Sequence, residues 1–135
     1  MVYYKIDKID AVEKQLQVLK KEVLGKKSFV LFVRSSSCYF CVKMKPEWEK
    51  LRRRASRKYG DLPIIEVDSE AMYEMTKKHP DNDLSTLLRQ VITSYPTIAF
   101  VEQKMRPKKL VVHMFHEERT ADKLDDFIHE YHKSK

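Results

Sequence analysis

The chain has 135 residues, the length of one ordinary domain and enough to bury a core. With 27 Lys plus Arg against 20 Asp plus Glu it carries a formal charge of +7, yet at 42% hydrophobic residues it is too apolar for a disordered polycation. Two Gly exclude collagen-like and Gly-rich low-complexity chains, and two Cys cannot build a disulfide-stapled miniprotein.

The first expected element is a short strand over residues 2–6, VYYKI, rich in β-formers. Asp7 or Asp10 is placed to cap a following helix. Ile9, Val12, Leu16, Leu19 and Val23 recur at helical spacing, and Gly25 follows where a left-handed residue closes a helix. SFVLFV (28–33) is a continuous apolar run and predicts a strand buried on both faces. After SSSCYFC the pattern turns helical to about Arg57, with Met44, Trp48 and Leu51 on one face and a kink expected at Pro46. LPIIEV (62–67) predicts a second buried strand, residues 69–79 a helix and HPDND (79–83) a turn. Leu84, Leu87, Leu88 and Val91 mark another helix, with Asp83 as its candidate cap. TIAFVE (97–102) and LVVHMF (110–115) predict two strands joined by a basic turn. Thr120 is placed to cap a last helix bearing Leu124, Phe127, Ile128 and Tyr131. This order implies one α/β domain over residues 1–135, with helices on both faces of a sheet.

No membrane span is expected, because the longest apolar run, Phe29 to Val33, falls far short of the ~20 residues that one needs. The opening MVYYKIDKID has no apolar h-region, so no secretory leader is expected. The expected setting is the reducing cytoplasm. There, a C-x-x-C pair reads as catalytic or metal-binding rather than structural.

Cys38 and Cys41 fall where a buried strand ends and a helix begins. Unpaired N–H groups and the positive end of the helix dipole favour a thiolate there, which makes a thiol nucleophilic near neutral pH. The second Cys lies one turn on, within reach of a short disulfide. The expected division of labour has Cys38 attack a substrate disulfide and Cys41, more buried, resolve the mixed disulfide. Zinc is the competing chemistry, but C-x-x-C is half a site. His113 and His116, or His129 and His132, do not have finger spacing to it. No metal and no organic cofactor are therefore expected.

In this order the motifs resemble the thioredoxin family: SFVLFV, then CYFC, then Pro46 five residues after Cys41, then LPIIEVD, then YPTIAFVE. The resemblance spans about residues 2–132. It implies a thioredoxin fold, a mixed sheet of four to five strands flanked by helices. It also implies that Pro96 of Tyr95-Pro96-Thr97 is a cis-proline lying against the Cys pair. Tyr95 would offer backbone hydrogen bonds to an extended substrate. With Tyr39, Phe40 and Thr97, these residues form the expected substrate-binding set.

The chain also departs from that pattern. Ser37 stands where the family usually has Trp. The buried acid expected six residues before the first Cys is Phe32, and its basic partner on the next strand is Ile64. A proton acceptor for Cys41 is thus missing from its usual place, which predicts slow resolution at neutral pH. Tyr39-Phe40 matches none of the familiar pairs Gly-Pro, Gly-His or Pro-Tyr, so the choice among reductase, oxidase and isomerase stays open. Two aromatics beside the nucleophile suit a landing surface for unfolded chains. Residues 69–94 form an extended helical segment before Pro96 that either shapes a groove or covers the core.

Residues 42–58 hold eight Lys or Arg against two acids, which is +6 of the total charge. A solvated helix face is the expected reading, and no nucleic-acid motif accompanies it. The expected function is therefore thiol–disulfide exchange on protein disulfide or dithiol substrates. A redox partner protein or a small thiol would supply or accept electrons, and the protein would be a monomer or weak dimer. The alternative is a non-catalytic thioredoxin-fold binding module whose basic helix takes an acidic partner. A leaderless chain with so unusual a dipeptide would also suit the small divergent family members of large DNA viruses, in cytoplasm or virion.

Overall fold

A computed structural model describes residues 2–133, so both ends of the expected 1–135 domain lie outside the described residues. The strands are β1 (Val2–Ile6), β2 (Phe29–Arg34), β3 (Pro63–Asp68), β4 (Thr97–Met105) and β5 (Lys108–Met114). The helices are α1 (Val12–Glu22), α2 (Tyr39–Lys58), α3 (Ser69–Lys78), α4 (Asp83–Val91) and α5 (Ala121–Lys133). The strands form one mixed sheet in the order β1-β3-β2-β4-β5. The first three are mutually parallel, β4 runs antiparallel to β2, and β5 runs antiparallel to β4.

Alternation along the strands divides the core in two. Leu31, Val33, Ile65, Val67, Ala99 and Val101 face α1, α3 and α4 through Leu16, Leu19, Met75, Leu84 and Leu88. Val30, Phe32, Ile64, Ile98 and Phe100 face α2 and α5 through Met44, Trp48, Leu51, Leu124 and Phe127. The run Phe29–Val33 is therefore buried on both sides, as its unbroken apolar character requires.

Three local expectations need correction. Ile9 is 52% exposed, because residues 9–11 form a 3-10 turn that rotates it off the apolar face of α1. Neither Asp7 nor Asp10 caps that turn. Asp7 instead exchanges two hydrogen bonds with Gln15, which diverts its carboxylate. Asn82, not Asp83, caps α4, its Oδ1 accepting from Leu84 N at 2.8 Å. Thr120 does serve α5, its Oγ1 accepting from Lys123 N at 3.2 Å. Gly25 carries the left-handed φ of 77° that a side chain with a Cβ disfavours. The 69–94 segment holds the two helices α3 and α4, and their buried leucines cover the core.

Candidate functional site

The site lies where β2 hands the chain to α2. Cys38 occupies the N-cap of α2, with extended φ −85° and ψ 118°. Its Sγ accepts a hydrogen bond from Cys41 N at 3.2 Å, the task an oxygen performs at an ordinary N-cap. Its backbone N–H donates to Ser35 O at 3.1 Å, which closes the connecting turn. Both cysteines are unbridged, Cys38 partly accessible and Cys41 buried at 6% exposure. Burial is the main force that pushes the Cys41 thiol up to about 11, and its hydrogen bond with Cys38 adds to the effect. The Ser35 backbone and the Arg119 charge pull it down by less.

The other expected residues divide into two groups. Of Tyr95, Pro96 and Thr97, Tyr95 meets the Cys pair: the Cys38 thiol donates to Tyr95 O at 3.4 Å, and the Tyr95–Pro96 peptide is cis. Pro96 and Thr97 are buried, and Thr97 Oγ1 donates to Ser94 O at 2.6 Å. Tyr39 and Phe40 turn outward, 69% and 54% exposed, their rings edge to face at 5.4 Å. Neither packs inward. The Arg119 guanidinium sits 5.5 Å from the Phe40 ring centroid.

One cavity borders the pair through Cys41, and a separate groove lies along Pro96. The groove, of 200 Å³, is lined by Ser94, Thr97, His116 and Arg119. The cavity, of 480 Å³, is lined by Cys41, Phe32, Trp48, Arg34 and Glu66. A larger one of 560 Å³, between Lys20, Gly25, His79 and Asn82, includes neither cysteine. Sequence reasoning missed Arg119, Arg34 and Glu66. Glu66 alone left a signal, an acid inside the apolar strand run PIIEV.

The histidines go elsewhere. His113 Nε2 lies 2.6 Å from Glu102 Oε1 and its ring stacks on Tyr131, while His116 lines the Pro96 groove. Among the described residues no three His, Cys, Asp or Glu side chains converge into a metal-binding set. No described helix is long and apolar enough to cross a membrane. On α2 the cations are partly neutralised: Lys50 pairs with Glu47, Arg52 with Glu49, Arg54 with Asp122 and Lys58 with Asp125.

Strand order, helix placement and a C-x-x-C at the start of α2 define a thioredoxin fold, and comparison with solved structures shows the same. The chain is similar to the Trx4 domain of ERdj5, with 20% identity and a TM-score of 0.59 over 88% of this chain and 92% of that one. It is similar to chloroplastic thioredoxin z, with 18% identity and a TM-score of 0.54 over 98% and 96%. It also matches the J-Trx1 fragment of ERdj5, with 13% identity and a TM-score of 0.64 over 97% of this chain and 52% of that fragment. No protein-family model and no curated protein matches the sequence. The viral association gains no support from these comparisons.

Proposed function

We propose that the chain is a thiol–disulfide oxidoreductase that works by dithiol–disulfide exchange at Cys38 and Cys41. The observation that carries this reading is the N-cap geometry, in which a partly accessible Cys38 sulfur accepts the Cys41 N–H at 3.2 Å. The positive end of a 20-residue helix favours negative charge at that position. In the forward direction the Cys38 thiolate attacks one sulfur of a protein disulfide. The substrate S–S bond breaks, a Cys38–substrate disulfide forms, and one substrate thiolate leaves. Cys41 then loses its proton and attacks Cys38 Sγ. This forms the Cys38–Cys41 disulfide and releases the second substrate thiolate. The reverse sequence oxidises a substrate dithiol, and the potential of the couple sets the direction. A redox protein or small thiol restores the starting state.

In this reading the Tyr95 carbonyl, beside Pro96, aligns an extended substrate backbone, with Thr97 bracing the turn. Exposed Tyr39 and Phe40 supply an apolar surface for an unfolded segment. The alternative, a binding module using the basic helix, draws less support, since four of its cations are already paired within the chain. Reduction of insulin by dithiothreitol tests the proposal. The native chain should accelerate it, and Cys38→Ser and Cys41→Ser should both abolish the acceleration. A native chain no faster than either variant would refute the reading.

A further inference from the structure

Parallel pairing sets Phe32 of β2 beside Glu66 of β3, so both side chains stand on the sheet face covered by α2. Glu66 is only 7% exposed. Its Oε1 accepts from the Tyr3 hydroxyl at 2.5 Å and its Oε2 from Arg34 Nε at 3.2 Å. The Tyr3 oxygen in turn accepts from Trp48 Nε1 at 2.7 Å. A carboxylate offers about four lone-pair sites, so these bonds leave acceptor capacity on both oxygens. Glu66 borders the 480 Å³ cavity whose wall also includes Cys41. The cavity is polar and roomy enough for water.

A buried thiol that must become a nucleophile needs a base within reach. The cavity wall offers few. Lys5, Arg34, Lys45 and Arg52 carry donors and no acceptor. Glu49 is 42% exposed and turned to Arg52 at 3.5 Å. Arg119, which also acts on Cys41, is a cation as well. Tyr3 is held in its protonated form, first by burial and then by its bond to Glu66.

We infer that Glu66 is the proton acceptor for Cys41, reached through water in this cavity during resolution of the mixed disulfide. The inference rests on the exchange reaction proposed above. In this step the Cys41 S–H bond breaks and its proton passes by way of water to a free Glu66 lone pair. The sulfur attacks Cys38 Sγ in the same event, the Cys38–Cys41 bond forms, and the substrate sulfur leaves as a thiolate. The mixed disulfide is the oxidant, so nothing further is consumed. Glu66 afterwards returns the proton to solvent through the cavity. The acid absent at Phe32 is thus supplied by the neighbouring strand.

Stopped-flow reaction of the reduced protein with 5,5′-dithiobis(2-nitrobenzoate) tests this, because attack by Cys38 and release by Cys41 each liberate one equivalent of coloured thiolate. Glu66→Gln should slow the second phase by about 100-fold at pH 7, the low end of what a positioned base supplies, and leave the first phase within roughly twofold. Glu49→Gln should change neither phase. A second phase within roughly twofold of native in Glu66→Gln overturns the inference. If Glu66→Gln does not fold, the native chain still decides. Transfer to a carboxylate gives a second phase nearly flat between pH 6 and 8, whereas a rise of about tenfold per pH unit would mean simple thiolate formation and overturn it. A native protein that liberates only one equivalent would instead count against the exchange reaction itself.

Discussion

Tyr3→Phe removes one oxygen that serves two buried partners. The hydroxyl donates to Glu66 at 2.5 Å and accepts from Trp48 Nε1 at 2.7 Å, and Trp48 is only 2% exposed. Losing a bond to a charged acceptor costs about 1.5–3 kcal/mol, and stranding a buried N–H costs about 1–3 kcal/mol more. Tyr3 is half-buried and the adjoining cavity admits water, so the low ends apply and the expected loss is about 2–3 kcal/mol. With a urea slope of about 1.5 kcal/mol per molar, the midpoint should fall by roughly 1.3–2 M at pH 7, with the slope unchanged. The effect should also depend on pH. Burial first, and then the bond to Glu66, raise the Tyr3 hydroxyl above its ordinary titration range. A raised folded value means that its stabilisation is whole below the ordinary tyrosine value near 10 and is lost as pH climbs beyond it. The gap between native and Tyr3→Phe should therefore narrow above about pH 10. A midpoint shift worth less than about 1 kcal/mol would refute the view that Tyr3 ties β1 to both β3 and α2.

Two further outcomes follow from the site. The Cys41 thiol is raised to about 11, so the reduced protein should lose stability as pH rises from the ordinary thiol range near 8.5 through that value. Cys41→Ser should lack this alkaline loss, and chemical denaturation of reduced native and variant protein across pH 8–11 checks it; parallel curves would contradict the assignment. Replacing both Tyr39 and Phe40 with Ala should lower kcat/KM for an unfolded protein substrate by roughly tenfold, about 1.4 kcal/mol of lost apolar contact. It should leave reduction of a small aromatic disulfide within about twofold. Equal losses on both substrates would show that the rings act on Cys38 rather than on the polypeptide.

The architecture was legible because its signals are local. The unbroken apolar run at 28–33 pointed to a strand covered on both faces, and the leucine spacing after Asn82 marked a helix. CYFC was legible for the same reason, since a strand end, two thiols and a helix start are contiguous in sequence. What stayed hidden depends on pairing between distant segments. Glu66 is an isolated acid in PIIEV until parallel register sets it beside Phe32 and Tyr3 reaches it from β1. Arg119 lies 78 residues beyond Cys41 and comes near it only through the loop before α5. The pairing of the basic stretch was hidden for the same reason. The stretch reads as an uncompensated patch until Asp122 and Asp125 of α5 fold against Arg54 and Lys58. The Asn82 cap was missed because Asn and Asp stand side by side there, and only backbone geometry chooses between them.

The central claim is that Cys38 and Cys41 form one reversible redox couple. Equilibration of the chain in glutathione buffers of graded potential, followed by thiol alkylation and mass spectrometry, tests it most directly. The account predicts a single two-electron transition in which both thiols disappear together into a Cys38–Cys41 disulfide, lost in either Ser variant. A midpoint at or below the cytosolic poise would mark a reductase, and one well above it an oxidant or isomerase. A glutathione adduct on one cysteine with the other still free at equilibrium, or two independent one-thiol transitions, would contradict the account.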